Sequence, residues 1–194
     1  MPIDTSTLLF FLASFLIGSI PFSVIAMWRS GTDIRSIGSG NPGFNNVLRF
    51  SKKRALISLV GDVGKGFVPV WLLYSPDQFV NVGWLISLGT VFGHCYSPWL
   101  KFRGGKGIAT SAGAMLAIYP AIAAGAIVFF VVVRVLGSVT KLNERGAWAS
   151  LLTWVFFTVL IHFQHGMPDT KYALLMTAFL VWCHKSNIGR MLGR

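Results

Sequence analysis

Acidic side chains are the scarcest chemistry in this chain. There are six, against 17 lysines and arginines, for a net charge of +11 over 194 residues. With so few carboxylates, and no His/Cys/Asp/Glu set at metal-ligand spacing, a two-metal phosphotransferase is excluded as a reading and no metal or cofactor is expected. Charge of either sign is sparse, at 12% of residues, where soluble domains carry about 25%. Hydrophobic residues make up 54% and the mean hydropathy is +0.64. Such a chain cannot cover a water-facing surface, so its basic excess does not point to nucleic acid. The only cysteines are Cys95 and Cys183, both near the expected cytoplasmic ends of spans, where a disulfide is not expected. A G-x-S-x-G elbow is missing. The first apolar run, 10–25, lacks a basic leader and an A-x-A site, so it reads as a retained span. Internal repeats, low-complexity tracts and soluble domains are missing too. The expectation is one integral membrane domain over 1–194, with no obligate protein partner.

What is present is a series of apolar runs at 5–28, 54–73, 80–99, 107–119, 121–137, 147–164 and 170–184. They imply an all-α membrane protein of about seven transmembrane helices, several shorter than the roughly 20 residues a lone span needs. Tyr119-Pro120 between the fourth and fifth implies a tight helical hairpin. With the N-terminus outside, Arg29, Arg35, Arg49, Lys52, Lys53, Arg54, Lys101, Arg103, Lys106, Lys141, Arg145, Lys185, Arg190 and Arg194 all fall inside. Asp4, Asp77 and Asp169 fall outside, with Lys171 as the one clear basic residue there. Retention of positive residues on the cytoplasmic side therefore gives N-out and C-in.

Four polar clusters then lie on the cytoplasmic face. In 33–49, Gly38, Gly40 and Gly43 alternate with Ser39, Asn41, Asn45 and Asn46, a pattern able to turn backbone N–H groups toward an anion. Asn46 and Arg49 share a face if a helix starts there. The plainer reading is a solvated loop of turn residues. In 61–66, Asp62 and Lys65 stand at i, i+3 inside an apolar run, where ionisable groups pair or line a functional cavity. In 93–110, His94 ends a span and Phe102-Arg103-Gly104-Gly105-Lys106-Gly107 follows. This is not a nucleotide P-loop, since Leu100 and Gly107 stand where that motif needs glycine and Ser/Thr. It is a glycine-rich approach to a helix N-terminus, which suits phosphate. In 184–190, His184 and Asn187 stand at i, i+3 on a helix end. His162 and His165, near the outer face with Asp169, read as an ordinary polar loop before they read as a metal site.

Taken together, 18–23 (GSIPFS), 38–49, 62–66, 93–110 and 184–190 resemble the PlsY-type acyl-phosphate:glycerol-3-phosphate acyltransferases of bacteria, in order and over the whole chain. One departure is Phe44-Asn45-Asn46 after Gly43, where the family usually has Ala-Thr-Asn, so a threonine role is not carried to Asn45. Lys185 and Ser186 occupy positions that vary in the family. The resemblance implies transfer of a fatty acyl group from acyl phosphate to the 1-hydroxyl of sn-glycerol 3-phosphate. The products are lysophosphatidic acid and phosphate, the first step of phospholipid synthesis, made at the bacterial inner membrane by a site facing the cytoplasm. Partners are those two substrates and the lipid bilayer. One phosphate is expected on Ser39, Gly40, Asn41, Lys106 and the Gly104–Gly105–Gly107 backbone. The other is expected on Arg49, Lys65, His184 and Asn187, with Asn46 and Arg35 as further binding candidates. His94, Lys106, His184 and Asn187 are the catalytic candidates. The base is either His94 or the donor phosphate itself. The competing class is an anion transporter, which would want pathway residues on both faces.

Overall fold

The computed structural model describes residues 5–75 and 80–193. Among these every regular element is helical. The chain forms two compact units, Met1–Ile118 and Tyr119–Arg194, and each is considered on its own. Asp4, Asp77 and Arg194, used above for orientation, lie outside the described residues.

The first unit holds α1 (Thr5–Gly18), α2 (Phe22–Ala26), α3 (Phe44–Phe50), α4 (Lys52–Leu73), α5 (Val80–Cys95) and α6 (Ile108–Ile118). The run expected as one helix over 5–28 is broken in two. Pro21 supplies no N–H and crowds the residue before it, so the helix stops at Gly18 and restarts at Phe22. The run expected to reach 99 ends at Cys95 for a similar reason: Pro98 opens a short 3-10 turn, Pro98–Leu100. Ser51, in extended conformation, caps α4, its hydroxyl accepting from the Arg54 N–H at 3.5 Å.

Lipid gives helices little hydrophobic reason to associate, so close backbone approach at small residues must do it. In α4 and α6 the approach is at Gly66 and Gly113. A Cβ on Gly66 would run into the Thr110 carbonyl oxygen, and one on Gly113 into that of Val63. Along α1 and α5, Gly89 lies against Phe11 and Ser14, Gly93 against Phe15, and the Ser97 hydroxyl donates to the Ser19 carbonyl at 2.6 Å. Contacts advance together along both chains, so α1 and α5 run in the same direction.

The second unit holds α7 (Pro120–Val139), α8 (Arg145–His165), α9 (Met167–Cys183) and α10 (Lys185–Met191). Pro120 is well placed at the first position of α7, where its missing N–H costs nothing. Gly166, at φ +72°, turns the chain between α8 and α9. The Phe129 and Phe156 rings stack at 4.4 Å, and the Thr158 and Thr177 hydroxyls share a hydrogen bond at 2.9 Å. The Tyr119 hydroxyl donates to Asp169 at 2.8 Å, and its ring meets that of His165 at 4.8 Å. His162 lies 3.3 Å from the Thr170 hydroxyl. The two histidines therefore tie α8 to its neighbours.

Among the described residues, four segments are long and apolar enough to cross a membrane: Thr5–Ala26, Lys52–Leu73, Pro120–Val139 and Arg145–His165, with Ile108–Ile118 apolar but shorter. The α4–α6 crossing yields a stability prediction. Gly113→Val should lower the thermal midpoint in detergent, at a cost of about 1–3 kcal/mol for overpacking. Gly64→Ala, where an added Cβ meets nothing within 4 Å, should hold or raise it, since alanine favours helix by about 1 kcal/mol. The check is a melting curve followed by tryptophan fluorescence.

Candidate active site

The site is built outward from α4. Asp62 and Lys65 point the same way because i and i+3 share a helix face. Their charged groups are 2.8 Å apart and each side chain is only 2% exposed. Two charges withdrawn from water need further partners, and Lys65 has them. The Lys65 ammonium donates to the Ile20 carbonyl at 2.7 Å. That carbonyl is available because the helix breaks at Pro21. The ammonium also stands 5.8 Å over the Phe22 ring. Asp62 reaches the other way, to His94 Nδ1 at 3.5 Å on α5.

His94 carries the contact into the glycine loop. Its carbonyl accepts from the Gly105 N–H at 3.1 Å, and the Cys95 carbonyl accepts from Gly104 at 3.0 Å. The imidazole lies against the Gly105 Cα, so that a Cβ there would strike Nε2. Gly104 packs as closely on the His94 carbonyl. Gly107, at φ +81°, turns the chain into α6, and its carbonyl accepts from Ser111 at 2.7 Å. Lys106, half-buried, is thereby fixed at the entrance to α6, whose first N–H groups point back toward it.

In the 33–49 segment several backbone donors are engaged within the loop. The Ser39 N–H donates to Asn46 Oδ1 at 3.2 Å, the Gly40 N–H to the Ile37 carbonyl at 2.9 Å, and the Asn41 N–H to the Ser39 hydroxyl at 3.4 Å. Asn46 is buried, and its Nδ2 donates to the Ile34 and Ile37 carbonyls, both at 2.9 Å. The loop consumes its own donors because the Asn46 amide replaces a missing turn of secondary structure. Asn46 is thus a scaffold of the loop. Arg35 is held by Asp33, Nη2 to Oδ2 at 2.8 Å, and this guanidinium keeps the Asp33 carboxyl below its ordinary pKa range. Arg49 lies across Gly38, and its guanidinium makes no hydrogen bond or ion pair among the described residues. It is the cation this segment presents.

In the second unit, His184 follows α9 and is buried, its Nδ1 donating to the Leu180 carbonyl at 2.8 Å. That bond fixes the tautomer, so the neutral ring carries its lone pair on Nε2. Asn187, also buried, donates from Nδ2 to Glu144. Arg190 donates to the same carboxylate at 2.6 Å, which raises the arginine pKa further.

Two features escaped sequence reasoning. Residues 18–23 are a junction: Ser19 receives Ser97 and the Trp99 indole N–H (2.9 Å), Ile20 receives Lys65, and the Ser23 hydroxyl donates to the Pro42 carbonyl at 2.7 Å. The density of Gly, Ser and Pro at the end of an apolar run was the available signal. Glu144 is the other, and its signal was its rarity, as the one glutamate in the chain.

The family model described as glycerol-3-phosphate acyltransferase matches residues 8–194. The chain belongs to the glycerol-3-phosphate acyltransferase family. It is 38% identical over 190 residues to the glycerol-3-phosphate acyltransferase of Burkholderia orbicola (strain MC0-3), covering 93% of this chain and 87% of that one. It is 37% identical over 185 residues to that of Methylobacillus flagellatus, covering 94% and 92%. Among solved structures it is similar to PlsY (YgiH), an integral membrane glycerol 3-phosphate acyltransferase. The glycerol 3-phosphate form superposes with a TM-score of 0.83 at 28% identity, over 97% of this chain and 92% of that one. The lysophosphatidic acid form gives 0.82 at 26% identity, over the same shares. The PlsY resemblance drawn from the motifs is therefore the family's own, and the chain is an acyltransferase with a multi-pass, all-helical body.

Within this family, the close packing of Gly105 on His94 yields a prediction. Gly105→Ala should cut kcat/KM for glycerol 3-phosphate acylation by at least about tenfold, because a displaced loop misplaces Lys106 and misorientation alone is costly. Gly189→Ala, where the added Cβ meets nothing within 4 Å, serves as the silent control. Initial rates on protein of verified monodispersity decide the matter. Lys65→Met should destabilise by about 3–5 kcal/mol, since it strands a buried carboxylate. A detergent melt of this variant alongside the double variant Lys65→Met/Asp62→Leu, which should recover much of the loss, measures it.

Proposed function

We propose that the chain transfers a fatty acyl group from acyl phosphate to the 1-hydroxyl of sn-glycerol 3-phosphate, releasing lysophosphatidic acid and phosphate. The observation that carries this reading is the buried chain Ile20–Lys65–Asp62–His94–Gly105, which holds a glycine-lysine loop at the mouth of α6. The glycerol 3-phosphate and lysophosphatidic acid forms of the similar PlsY structures support an acceptor and a product of this kind.

The acceptor oxygen attacks the acyl carbonyl carbon, an oxyanion forms, and the carbon–oxygen bond to phosphate breaks. The donor is a mixed anhydride with a good leaving group, so positioning and oxyanion stabilisation carry most of the burden. Lys106, the first N–H groups of α6 and the Ser39 hydroxyl are the proposed ligands of one phosphate. Arg49, with its disengaged guanidinium, is a second phosphate ligand. His184 and Asn187 stay as proposed contacts to substrate, with His184 Nε2 as the reactive nitrogen. An apolar cleft of about 550 Å³, lined by Leu16, Ile17, Ile20, Pro21 and Trp99, adjoins the Ile20–Lys65 contact. The acyl chain would lie there, with its phosphate toward Lys65.

His94 is a poor base in this arrangement, because Nδ1 faces Asp62 and Nε2 is covered by Gly105. The proton of the attacking hydroxyl then passes to the departing phosphate. The membrane placement follows the same reading. Parallel α1 and α5, one crossing helix apart, support loops at 29–54 and 101–106 on one side of the membrane, and their basic residues assign that side to the cytoplasm at a bacterial inner membrane, with the N-terminus outside.

Purified protein given palmitoyl phosphate and EDTA should release phosphate only when glycerol 3-phosphate is added, with lysophosphatidic acid appearing in equal amount. Uptake of labelled glycerol 3-phosphate into sealed vesicles without acylation would overturn the reading in favour of transport. His94→Gln should keep kcat within about tenfold of wild type. A loss of several orders of magnitude in a folded variant returns proton transfer to His94.

A further inference from the structure

Glu144 stands at the foot of α8 in a left-handed conformation, φ 54° and ψ 27°. A carboxylate at that position ordinarily turns onto the first free N–H groups of its own helix. This one makes no such bond. It turns to α10 instead. Arg190 Nε donates to Oε1 at 2.6 Å, Arg190 Nη2 donates to Oε2 at 3.3 Å, and Asn187 Nδ2 donates to Oε2 as well. One carboxylate thus takes a two-point guanidinium fork and an amide. The helix it grips is seven residues long, too short to stand by itself in water. Its packed neighbour among the described helices is α9. The residue before it is His184, already tied by Nδ1 to the end of α9.

The geometry points to Glu144 as a positioning residue for the acyl transfer, one that sets the rotation of the Asn187 amide and the seat of α10 for the acceptor, glycerol 3-phosphate. The inference rests on the reading that Asn187 contacts a substrate phosphate or hydroxyl. An amide can present either its oxygen or its NH₂ to a ligand. Accepting from Nδ2, the carboxylate decides which way round it is held, so that Oδ1 faces away from Glu144. Arg190, 46% exposed, also holds the carboxylate.

The test is acceptor kinetics on the full chain in detergent at saturating palmitoyl phosphate. Glu144→Ala should raise KM for glycerol 3-phosphate about tenfold or more with kcat changed less than threefold. Glu144→Gln, which keeps an oxygen acceptor for Asn187, should recover most of that loss. In an Asn187→Ala background, Glu144→Ala should change KM by less than twofold, because the contact it serves is already gone. Three results would overturn the inference: a KM within twofold of wild type for Glu144→Ala, an undiminished effect in the Asn187→Ala background, or kcat falling in step with the melting temperature. If Glu144→Ala does not fold, the Glu144→Gln and Glu144→Asp pair decides, since Asp is one methylene too short to hold Asn187. In that pair Asp should raise KM and Gln should not, and equal KM values overturn the inference. Failure of the acyltransferase reading looks different. Wild-type protein itself would then show no acceptor-dependent phosphate release.

Discussion

The buried pair of Asp62 and Lys65 is the constraint around which the first unit is arranged. An ion pair inside apolar surroundings is retained only if its remaining hydrogen-bonding capacity is met. Each demand recruits a different element. Lys65 needs a carbonyl, and the helix break before Pro21 provides that of Ile20. Asp62 faces His94 Nδ1 at the end of α5, 3.5 Å away, in contact but without a hydrogen bond. Because His94 also holds Gly104 and Gly105 through its backbone and its ring, the pair at the centre of α4 fixes the loop that carries Lys106. Removing either charge would not simply delete an interaction. It would loosen the helix break, the end of α5 and the glycine loop together.

Glycine is what allows this arrangement to be compact. Where lipid supplies no strong drive to pack, backbones must touch, and Gly66, Gly113 and Gly93 are where they do. The same residue type serves a second purpose in the 104–107 loop, where the contact is with the His94 imidazole and not with a neighbouring helix. So the glycines, which look alike in the sequence, divide into those that seat helices and those that seat the loop.

The division explains which parts of the molecule could be read beforehand. Apolar runs mark helices directly, because in a membrane hydropathy is the structural requirement. Five of the seven runs fell on single helices, and the other two were cut by Pro21 and Pro98. The Asp62–Lys65 pair was legible from i, i+3 spacing. Its partner His94 was not, since nothing local relates position 62 to position 94. Glycines alternating with small polar residues, as in 38–43, are suited both to bind an anion and to satisfy one another, and several N–H groups here are already satisfied within the loop. Glu144 was out of reach for the same reason as His94: its partners lie 43 and 46 residues away.

The scarcity of acids, which first excluded a metal-centred reaction, also bears on how the proton moves. Four carboxylates fall among the described residues, and each is committed. Asp33 holds Arg35, Asp62 holds Lys65, Glu144 holds Arg190 and Asn187, and Asp169 accepts from Tyr119. A carboxylate already accepting charge-assisted hydrogen bonds is a weak base, since protonation must break them. His94 is similarly enclosed. On the proposed reaction, that leaves the donor's own phosphate. Acyl phosphate brings oxygens that become more basic as the carbon–oxygen bond breaks, beside the hydroxyl that must lose its proton. Three of the four acids hold a cation in place, and on the proposed reading the remaining cations would serve to bring two phosphates close together at a membrane surface.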